Sequence, residues 1–337
     1  MKDHSSKMDS PHYPVMLKQV LELCDPKNGG QFVDCTFGSG GYSNAILSFP
    51  KTKVIAFDRD PEIIKYVKET KKKFNKRFSF YNDKFSNIDK LTKKGFKANF
   101  VIFDLGLSML QILNLKRGFS FKSKSNLDMR MGINSISAKE VLNNFKEDTL
   151  RDIFKLFGED KDSSKISKNI IRERKKSPIL SVPKLVEIIS MSKRKNYKKK
   201  INICTQAFQA LRIFVNQEIS ELIEGLIKAT QILENKGKII IISFHSIEDR
   251  IIKYYFNNYS KNKSNVSRYQ PIKNSEEYLF QNYKNKIITP GADEIIRNNP
   301  SRSAKLRYAI RSEKIFFYPH DLKNKFKRYL DLEKQSA

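Results

Sequence analysis

QFVDCTFGSGG, residues 31–41, joins a short apolar segment to a glycine-rich turn. The pattern of residues 31–36 predicts a buried strand, and residues 42–49 after the glycines predict a helix. Glycines at a strand-to-helix turn allow a tight bend and let the backbone approach a ligand closely. This stretch therefore predicts the first strand and the ligand loop of an α/β sheet.

The alternation of strand and helix continues on the C-terminal side of this stretch. Further strands are predicted at 53–58, 77–81 and 98–104, with helices between them at about 61–73 and 88–94. Strands that alternate with helices form βαβ units, and such units build a parallel sheet. We therefore expect a doubly wound, Rossmann-like sheet.

A long helical stretch separates the fourth strand from the fifth, which is predicted at 238–243. About 130 residues lie between them, whereas a whole βαβ crossover needs only about 10–12. Helical periodicity fills the gap at 138–145, 149–157, 164–174, 182–190 and 203–224. We interpret residues 113–212 as an inserted all-helical domain, and residues 12–112 together with 213–315 as the sheet domain.

The last part of the chain is expected to complete the sheet. Two strands are predicted at 286–289 and 304–311, which would make the sheet seven-stranded and mainly parallel. The polar residues 1–11 are expected to be disordered. Residues 316–337 form a charged tail that is frayed or helical.

The net charge of the chain is +29, because 65 Lys and Arg residues face 36 Asp and Glu residues. Such an excess concentrates polyanions around a protein, so nucleic acid is the leading partner class. An anionic membrane surface is the second class, and a compositional bias towards Lys, Asn and Ile is the third explanation. Charge alone leaves these readings open.

Cysteine usage and apolar runs indicate the cell compartment. The three cysteines are widely spaced, without a CxxC pair, which is typical of a reducing cytoplasm and argues against disulfides and a zinc site. The N-terminus lacks the apolar core of a signal peptide. No apolar run approaches the roughly 20 residues that span a bilayer. We expect a cytoplasmic protein with no metal and no membrane partner.

Three acids follow predicted strands at the edge where ligands bind in open α/β sheets. These acids are Asp34, Asp58 and Asp104, and Asp58 stands twenty positions after Gly38. An acid at that distance commonly binds ribose hydroxyls. The GxGxxG spacing is not met, and Asp34 would repel a pyrophosphate but attract an amino group. The pattern favours an S-adenosylmethionine-dependent methyltransferase over a nicotinamide-dependent enzyme.

Several longer segments resemble the bacterial methyltransferases that modify the N4 amino group of a cytosine in small-subunit (16S) ribosomal RNA. They keep their order from about residue 12 to 311 and comprise DCTFGSGGYS (34–43), AFDRDP (56–61), FDLGLS (103–108), RGFSF (117–121), LDMRMG (127–132), TQAFQALRIFVNQEI (205–219), SFHSIEDR (243–250) and NPSRSAKLR (299–307). The resemblance implies the same reaction, with S-adenosylmethionine as methyl donor and small-subunit ribosomal RNA as partner. Whether that RNA is free or lies in an assembled or assembling subunit stays open.

The resemblance also implies which residues hold the methyl donor. They are Gly40, Gly41, Tyr42, Asp58, Phe85, Asp104 and Gln111. The chain departs from the family at Tyr42, where His is usual, and at Cys35, where Gly or Ala is usual. It also has Met109-Leu110 in place of Ser-Pro, and Asn126 in place of Pro.

Methylation of an exocyclic amine needs positioning rather than a covalent enzyme intermediate. Asp104, or backbone carbonyls of its loop, are candidates to accept the amino hydrogens. His245 is a candidate to accept a proton or orient the base, although a structural role at a strand end is the alternative. Phe244 is a candidate to stack on a flipped base, with core packing as the alternative.

Two groups of basic residues are candidate RNA contacts. The first is a run in the inserted domain 113–212, which we therefore expect to face RNA, and comprises Lys193, Arg194, Lys195, Lys198, Lys199 and Lys200. The other group, near the catalytic edge, comprises Arg302, Lys305 and Arg307. Such side chains track phosphates, although a solvated helix end explains the run equally well.

Two other functions remain open at this point. The chain could methylate another RNA base or DNA. It could also be a scaffold that binds the donor and RNA without turnover.

Overall fold

The computed structural model describes residues 13–132, 136–193, 202–261 and 277–336. Its centre is a six-stranded sheet with the strands β1 (Gly30–Asp34), β2 (Thr52–Phe57), β3 (Phe78–Tyr81), β4 (Ala98–Asp104), β5 (Leu233–Ser243) and β6 (Lys305–Ile310). Its helices are α1 (Leu17–Cys24), α2 (Gly41–Leu47), α3 (Ile64–Phe74), α4 (Met109–Leu113), α5 (Ala138–Asn144), α6 (Glu147–Leu156), α7 (Ser163–Arg174), α8 (Val182–Ser192), α9 (Thr205–Asn216), α10 (Glu218–Ile232), α11 (Ser246–Asn258), α12 (Ala292–Arg297), α13 (His320–Lys325) and α14 (Lys327–Glu333).

The order of the strands confirms the doubly wound α/β class. The sheet runs β3-β2-β1-β4-β5-β6, and only the β5–β6 pair is antiparallel. The chain first winds outward from β1 and then returns to the other side of β1 with β4. Such a reversal opens a crevice at the carboxyl ends of the two central strands.

Burial on both faces explains why the central strands are continuous apolar runs. Residues 239–242 of β5 are four isoleucines, each with no exposed surface. β-Branched side chains fit such a doubly covered parallel sheet. One face packs against α1, α2 and α3, and the other packs against α10 and the 3-10 segment Phe85–Lys94.

The prediction of a seventh strand at 286–289 is wrong for the described part of the chain. Only Ile288 pairs there, through reciprocal backbone hydrogen bonds of 3.0 and 2.9 Å with Leu306. Pro290 follows two residues later and has no N–H to extend the ladder. The segment therefore forms an isolated bridge beside β6.

Helices fill the interval between β4 and β5 as predicted, with one difference. The pattern at 203–224 is two helices, because Gln217 adopts a left-handed conformation with φ 50° and ends α9. Helices α5 to α9 share one apolar cluster with a face of the sheet. The division into a sheet domain and an inserted domain stays a prediction.

The C-terminal tail is helical and packs against the body of the protein. Leu322 and Phe326 are buried, and so is the carboxyl group of Glu333. Glu333 accepts hydrogen bonds from the backbone N–H groups of Ile219, at 3.0 Å, and Ser220, at 2.7 Å. These groups belong to the first turn of α10, where N–H groups lack partners within the helix. Residues 1–11, predicted to be disordered, lie outside the described residues.

No helix within the described ranges is long and apolar enough to cross a membrane.

We expect Glu333→Ala to lower the free energy of unfolding by about 1–2 kcal/mol, because two buried N–H groups of α10 lose their acceptor. Denaturant unfolding measures the change. Glu313→Ala is the matched control, because Glu313 is exposed on the same C-terminal segment. Equal stability of both variants would show that the tail does not cap α10.

Candidate active site

A cavity of about 310 Å³ lies at the crevice between β1 and β4. The loops after β1, β2, β3, β4 and β5 all contribute to its wall, as does the corner between α9 and α10. Among the predicted donor-binding residues, those on the wall are Gly41, Tyr42, Asp58, Phe85, Asp104 and Gln111. The topology therefore brings most of the predicted site together.

The glycine-rich turn is shaped by contacts that leave no room for side chains. Gly40 has φ 83°, and a Cβ there would lie 2.8 Å from side-chain atoms of Phe37 and Asn44. A Cβ on Gly41 would lie 2.2 Å from Cγ of Pro14. Gly40 thus shapes the turn, whereas Gly41 also lines the cavity.

The segment before α1 covers part of the cavity, which the sequence did not predict. Tyr13, Pro14 and Val15 line the wall. The hydroxyl of Tyr42, a residue that is 4% exposed, donates a hydrogen bond to the Val15 carbonyl. The Met16 N–H donates to Oε1 of Glu294. The side chain that departs from the family pattern therefore anchors this N-terminal segment.

Asp58 is held by the backbone around it. Its Oδ2 accepts from the Gly38 N–H at 2.8 Å, and its Oδ1 accepts from the Asp60 N–H at 2.9 Å. Burial nevertheless raises the pKa of Asp58 to about 6. Each oxygen keeps a further lone pair, so the group can still accept from a ligand hydroxyl.

One carboxyl oxygen of Asp104 has no hydrogen-bond partner among the described residues, although the Tyr42 hydroxyl interacts with the carboxyl group. Its backbone N–H donates to Oγ1 of Thr36 at 2.8 Å, but among the described residues none hydrogen-bonds to its buried Oδ1. Burial, followed by the charge of Asp34, raises the pKa of Asp104 to about 8. The residue lines the cavity, so a donor group on a ligand that approaches the carboxyl group would satisfy this buried oxygen.

Asp34 does not reach the cavity, contrary to the expectation that three acids would converge. Its carboxylate has no exposed surface and accepts from Oγ of Ser43, at 2.7 Å, and from the Thr36 N–H, at 3.2 Å. It holds the glycine-rich turn to the first turn of α2. Its effect on a ligand is indirect, through the pKa of Asp104.

Gln111 and Phe85 both line the wall and are both held by neighbouring side chains. The Gln111 Nε2 donates to Oδ2 of Asp60 at 2.7 Å, and its Oε1 accepts from the Ser108 N–H in a capping box of α4. Phe85 packs edge-to-face on Phe103, with ring centroids 5.2 Å apart. Both side chains are therefore fixed before any ligand binds.

His245 is the N-cap of α11. Its Nδ1 accepts from the Glu248 N–H at 3.5 Å, and its Nε2 lies 3.1 Å from Oε1 of Glu248. The imidazole is not on the cavity wall, whereas the neighbouring Phe244 and the Glu248 carboxylate are. The geometry thus favours a structural role for His245 and leaves Phe244 in a place where it can contact a ligand.

A buried charge network completes the wall at the corner between α9 and α10. The Arg212 guanidinium donates to both oxygens of Glu218, at 2.8 and 2.9 Å. Glu248 lies beside it and accepts from the Phe244 N–H at 2.9 Å. The ligand atoms of Glu218, His245 and Glu248 lie within 4.8 Å of one another, as in a metal site, but Arg212 already engages Glu218 there. Arg212 was not predicted as a site residue, although it lies in segment 205–219, which resembles the methyltransferase family.

The structure buries two of the predicted RNA contacts and pairs each of them with an acid. The Lys193 side chain is 7% exposed and pairs with Asp160, and its Nζ donates to the Ile203 carbonyl at 2.7 Å. The Arg307 side chain is 3% exposed and donates to Asp249, at 2.7 Å, and to Tyr283. A buried, paired cation is not available to a phosphate.

The other predicted RNA contacts stay predictions. Lys305 is half-exposed and lies 3.4 Å from Asp249, and Arg302 is exposed and donates to Asn299. The rest of the basic run lies outside the described residues and comprises Arg194, Lys195, Lys198, Lys199 and Lys200.

The raised pKa of Asp104 predicts a pH dependence of donor binding. Below about pH 8 its carboxyl group is neutral in the free protein, whereas a cationic methyl donor favours the ionised form. Binding therefore releases a proton, and the affinity for S-adenosylmethionine rises by up to about tenfold per pH unit as the pH approaches 8 and then levels off. Isothermal titration calorimetry at pH 6.5 to 9 measures this rise.

Asp104→Asn should remove most of the rise, and Asp293→Asn, an exposed acid on α12, should keep it. An unchanged rise in Asp104→Asn would place the titrating group elsewhere.

Comparison with known proteins agrees with this geometry. A model described as the MraW methylase family matches residues 9–312. The ribosomal RNA small subunit methyltransferase H of Orientia tsutsugamushi (strain Boryong) is 39% identical over 312 residues, which cover 90% of this chain and 99% of that protein. The protein of the same name from Ehrlichia canis (strain Jake) is 41% identical over 305 residues, covering 89% and 99%. The chain therefore belongs to the MraW methylase family.

Proposed function

We propose that this chain transfers a methyl group from S-adenosylmethionine to the N4 amino group of a cytidine in small-subunit ribosomal RNA. Family membership gives the reaction class, methyl transfer. The RNA substrate is supported by the names of the relatives, which are 39% and 41% identical over nearly their whole length. The observation that carries the proposal is the cavity at the sheet reversal, with Asp104 Oδ1 left without a partner among the described residues.

The residues of the cavity fit the methyl donor. Asp58 can accept from ribose hydroxyls, and the ring of Phe85 offers an apolar face to the adenine. Gly41 allows close approach of the backbone, and the acids of the wall favour a cation. When bound, S-adenosylmethionine supplies an electrophilic methyl group on its sulfonium sulfur.

Asp104 is suited to the acceptor amine. Its Oδ1 can accept a hydrogen bond from the N4 amino group and then take the proton that this nitrogen loses once it is methylated. A pKa of about 8 lies close to the working pH, so one carboxyl group can accept and later release that proton. Because the amine lone pair is delocalised into the ring, alignment of the nitrogen supplies most of the acceleration.

The cysteines do not support a covalent route. Cys35 lies closest to the glycine-rich turn, but burial raises the pKa of its thiol well above the usual value. A thiol of this kind is inert as a nucleophile. Direct transfer to an amine requires none, which agrees with N4 rather than C5 of the cytosine as the target.

The partner and the compartment follow from this substrate. The net charge of +29 supports binding to RNA, in free form or within a small ribosomal subunit. We place the protein in the cytoplasm, where ribosomes assemble.

Labelled methyl transfer to small ribosomal subunits that lack the modification, followed by nucleoside mass spectrometry, tests the proposal. We expect N4-methylated cytidine with the wild-type chain. Asp58→Ala should lose at least about tenfold in donor affinity, because the ribose hydroxyls lose a charged acceptor. Asp331→Ala, an exposed acid on α14, is the control.

Two outcomes would favour the other functions. Label in a nucleoside other than cytidine would show that the chain methylates another base. Donor binding without label in subunits, naked RNA or DNA would indicate a scaffold without turnover.

His245→Asn tests whether the imidazole takes part in the reaction. Asparagine is a good N-cap residue and can accept from the Glu248 N–H, so turnover should stay within about threefold of wild type. His245→Ala should lower the free energy of unfolding by about 1 kcal/mol, because the cap is lost. A loss of turnover above about a hundredfold in a folded His245→Asn protein would instead establish a catalytic histidine.

A further inference from the structure

The side of the cavity beyond Asp104 carries charged groups that the methyl donor does not require. Arg212 and Glu218 lie on this wall with Glu248, and the charges of Glu248 and Asp104 act on each other. The Arg212 side chain is 15% exposed and the Glu218 side chain 9% exposed. Placing ionic groups in such a position is costly unless every charge is paired and the site has a use for them.

The hydrogen bonds of Arg212 leave part of its guanidinium free. Nε and Nη2 donate to the two oxygens of Glu218, and among the described residues no hydrogen-bond acceptor is found for Nη1. A bidentate Arg–carboxylate pair fixes the plane of the guanidinium. Glu218 therefore orients Arg212, and Nη1 is left as a pre-positioned donor at the cavity wall.

Glu248 stabilises the same arrangement from the other side. Its Oε2 accepts from the backbone N–H groups of Phe244, at 2.9 Å, and His245, at 3.3 Å. It is thereby fixed to the start of α11 and lies close enough to Arg212 to act on its charge. Arg212 thus lies between Glu218, with which it forms a bidentate pair, and Glu248, which the backbone of α11 holds in place, so its position does not depend on a ligand.

The edge of a cytosine matches the groups on this wall. That edge presents two neighbouring acceptors, O2 and N3, and then the N4 amino donor. A guanidinium donates to adjacent acceptors, and an unpartnered carboxylate oxygen such as Asp104 Oδ1 accepts from an amine. Uracil presents an N3–H donor in place of the N3 acceptor and an O4 acceptor in place of the amino group. The Arg212 N–H would then face the N3–H donor, and the Asp104 oxygen would face the O4 acceptor.

We propose that Arg212, oriented by Glu218, is a base-reading residue that donates from Nη1 to N3 and O2 of the target cytosine and so aligns its amino group with Asp104. This inference rests on the proposed function and deepens it. It assigns recognition of the base to the corner between α9 and α10, whereas Asp58, on the loop after β2, is assigned to the ribose of the methyl donor.

Arg212→Lys is the decisive variant. A lysine keeps the positive charge between Glu218 and Glu248, but a single ammonium cannot bind Glu218 and also donate in a plane to a base. We expect kcat/KM for unmodified subunits to fall about 30- to 100-fold, as for loss of charged hydrogen bonds to a substrate. The dissociation constant of S-adenosylmethionine should stay within about twofold.

Affinity for the subunit should also be kept, because phosphate contacts dominate binding to RNA. Filter binding measures that affinity, calorimetry the donor affinity and thermal unfolding the fold. Arg250→Lys is the matched control, since Arg250 is 50% exposed, pairs with Glu159 and lies off the cavity wall. Its turnover should equal that of the wild-type chain.

Glu218→Gln is the second variant and alters only the orientation of the guanidinium. The glutamine accepts only one of the two hydrogen bonds that Arg212 donates to Glu218. We therefore expect kcat/KM for unmodified subunits to fall about 3- to 10-fold. Unchanged turnover in a folded Glu218→Gln protein would remove the orienting role even if Arg212→Lys did not fold.

Two results would overturn the proposal. Wild-type turnover in Arg212→Lys would show that a positive charge suffices, as for a phosphate contact. A fall in donor affinity that parallels the fall in turnover would assign Arg212 to the methyl donor. Failure of the proposed function is seen separately, as absence of N4-methylated cytidine with the wild-type chain.

Discussion

The buried amide of Asn216 holds together the parts of the chain that form the cavity. Its Oδ1 accepts from the Met131 N–H at 2.8 Å, and its Nδ2 donates to the Met129 and Arg212 carbonyls, both at 2.8 Å. Its own carbonyl accepts from Nη1 of Arg59 at 2.9 Å. Because an unsatisfied buried amide is costly, these segments are fixed relative to one another. The next residue, Gln217, turns the chain and directs α10 back to the sheet.

The parallel sheet adds a second constraint, because it places carboxylates where they are poorly solvated. Asp58 follows β2, and Asp104 ends β4, at the edge where the chain reverses its direction of winding. Burial raises the pKa of Asp58 to about 6 and that of Asp104 to about 8. A cationic ligand lowers the free-energy cost of ionising these buried acids. The cavity therefore binds a positively charged ligand in preference to a neutral one.

Local patterns in the sequence predicted the features that depend on local structure. The five parallel strands, the glycine-rich turn and Asp58 follow from apolar runs and turn residues, whose period is directly readable. The break between α9 and α10 could not be predicted in this way. The apolar residues of 203–224 keep helical spacing on both sides of Gln217, so the pattern does not show that this one residue is left-handed. The seventh strand failed for a related reason, since an apolar pair such as Ile287-Ile288 does not reveal that Pro290 ends the pairing.

Long-range pairing of charges was beyond the sequence. Lys193 and Arg307 belong to basic groups that resemble RNA contacts, yet Asp160 and Asp249 neutralise them in the interior. Arg212 is the converse case, a single arginine in an apolar helix that the fold brings to the cavity wall. Whether a cation is buried or keeps a free donor depends on the acid that the fold places beside it. The partner acid is 33 positions away for Lys193, 58 for Arg307 and 6 for Arg212.

The same pairing gives the two ends of the cavity different hydrogen-bonding groups. Among the described residues, three cations line the wall: Arg59 donates to the Asn216 carbonyl and to Met131, Lys84 lies 3.5 Å from Oε1 of Gln217, and Arg212 donates to Glu218. Asp58 and Asp104 lie on the side of β1, β2 and β4, and Arg212 lies at the corner between α9 and α10. Glu218 and Glu248 balance the charge of Arg212, so the corner does not repel a cation. It differs from the sheet side in offering an N–H donor that is free within the described part of the chain, which a neutral base with two acceptors can use. Asp104 ends β4 and is close enough to Glu248 for the two charges to act on each other, so the proposed proton acceptor and the proposed base-reading corner are electrostatically coupled.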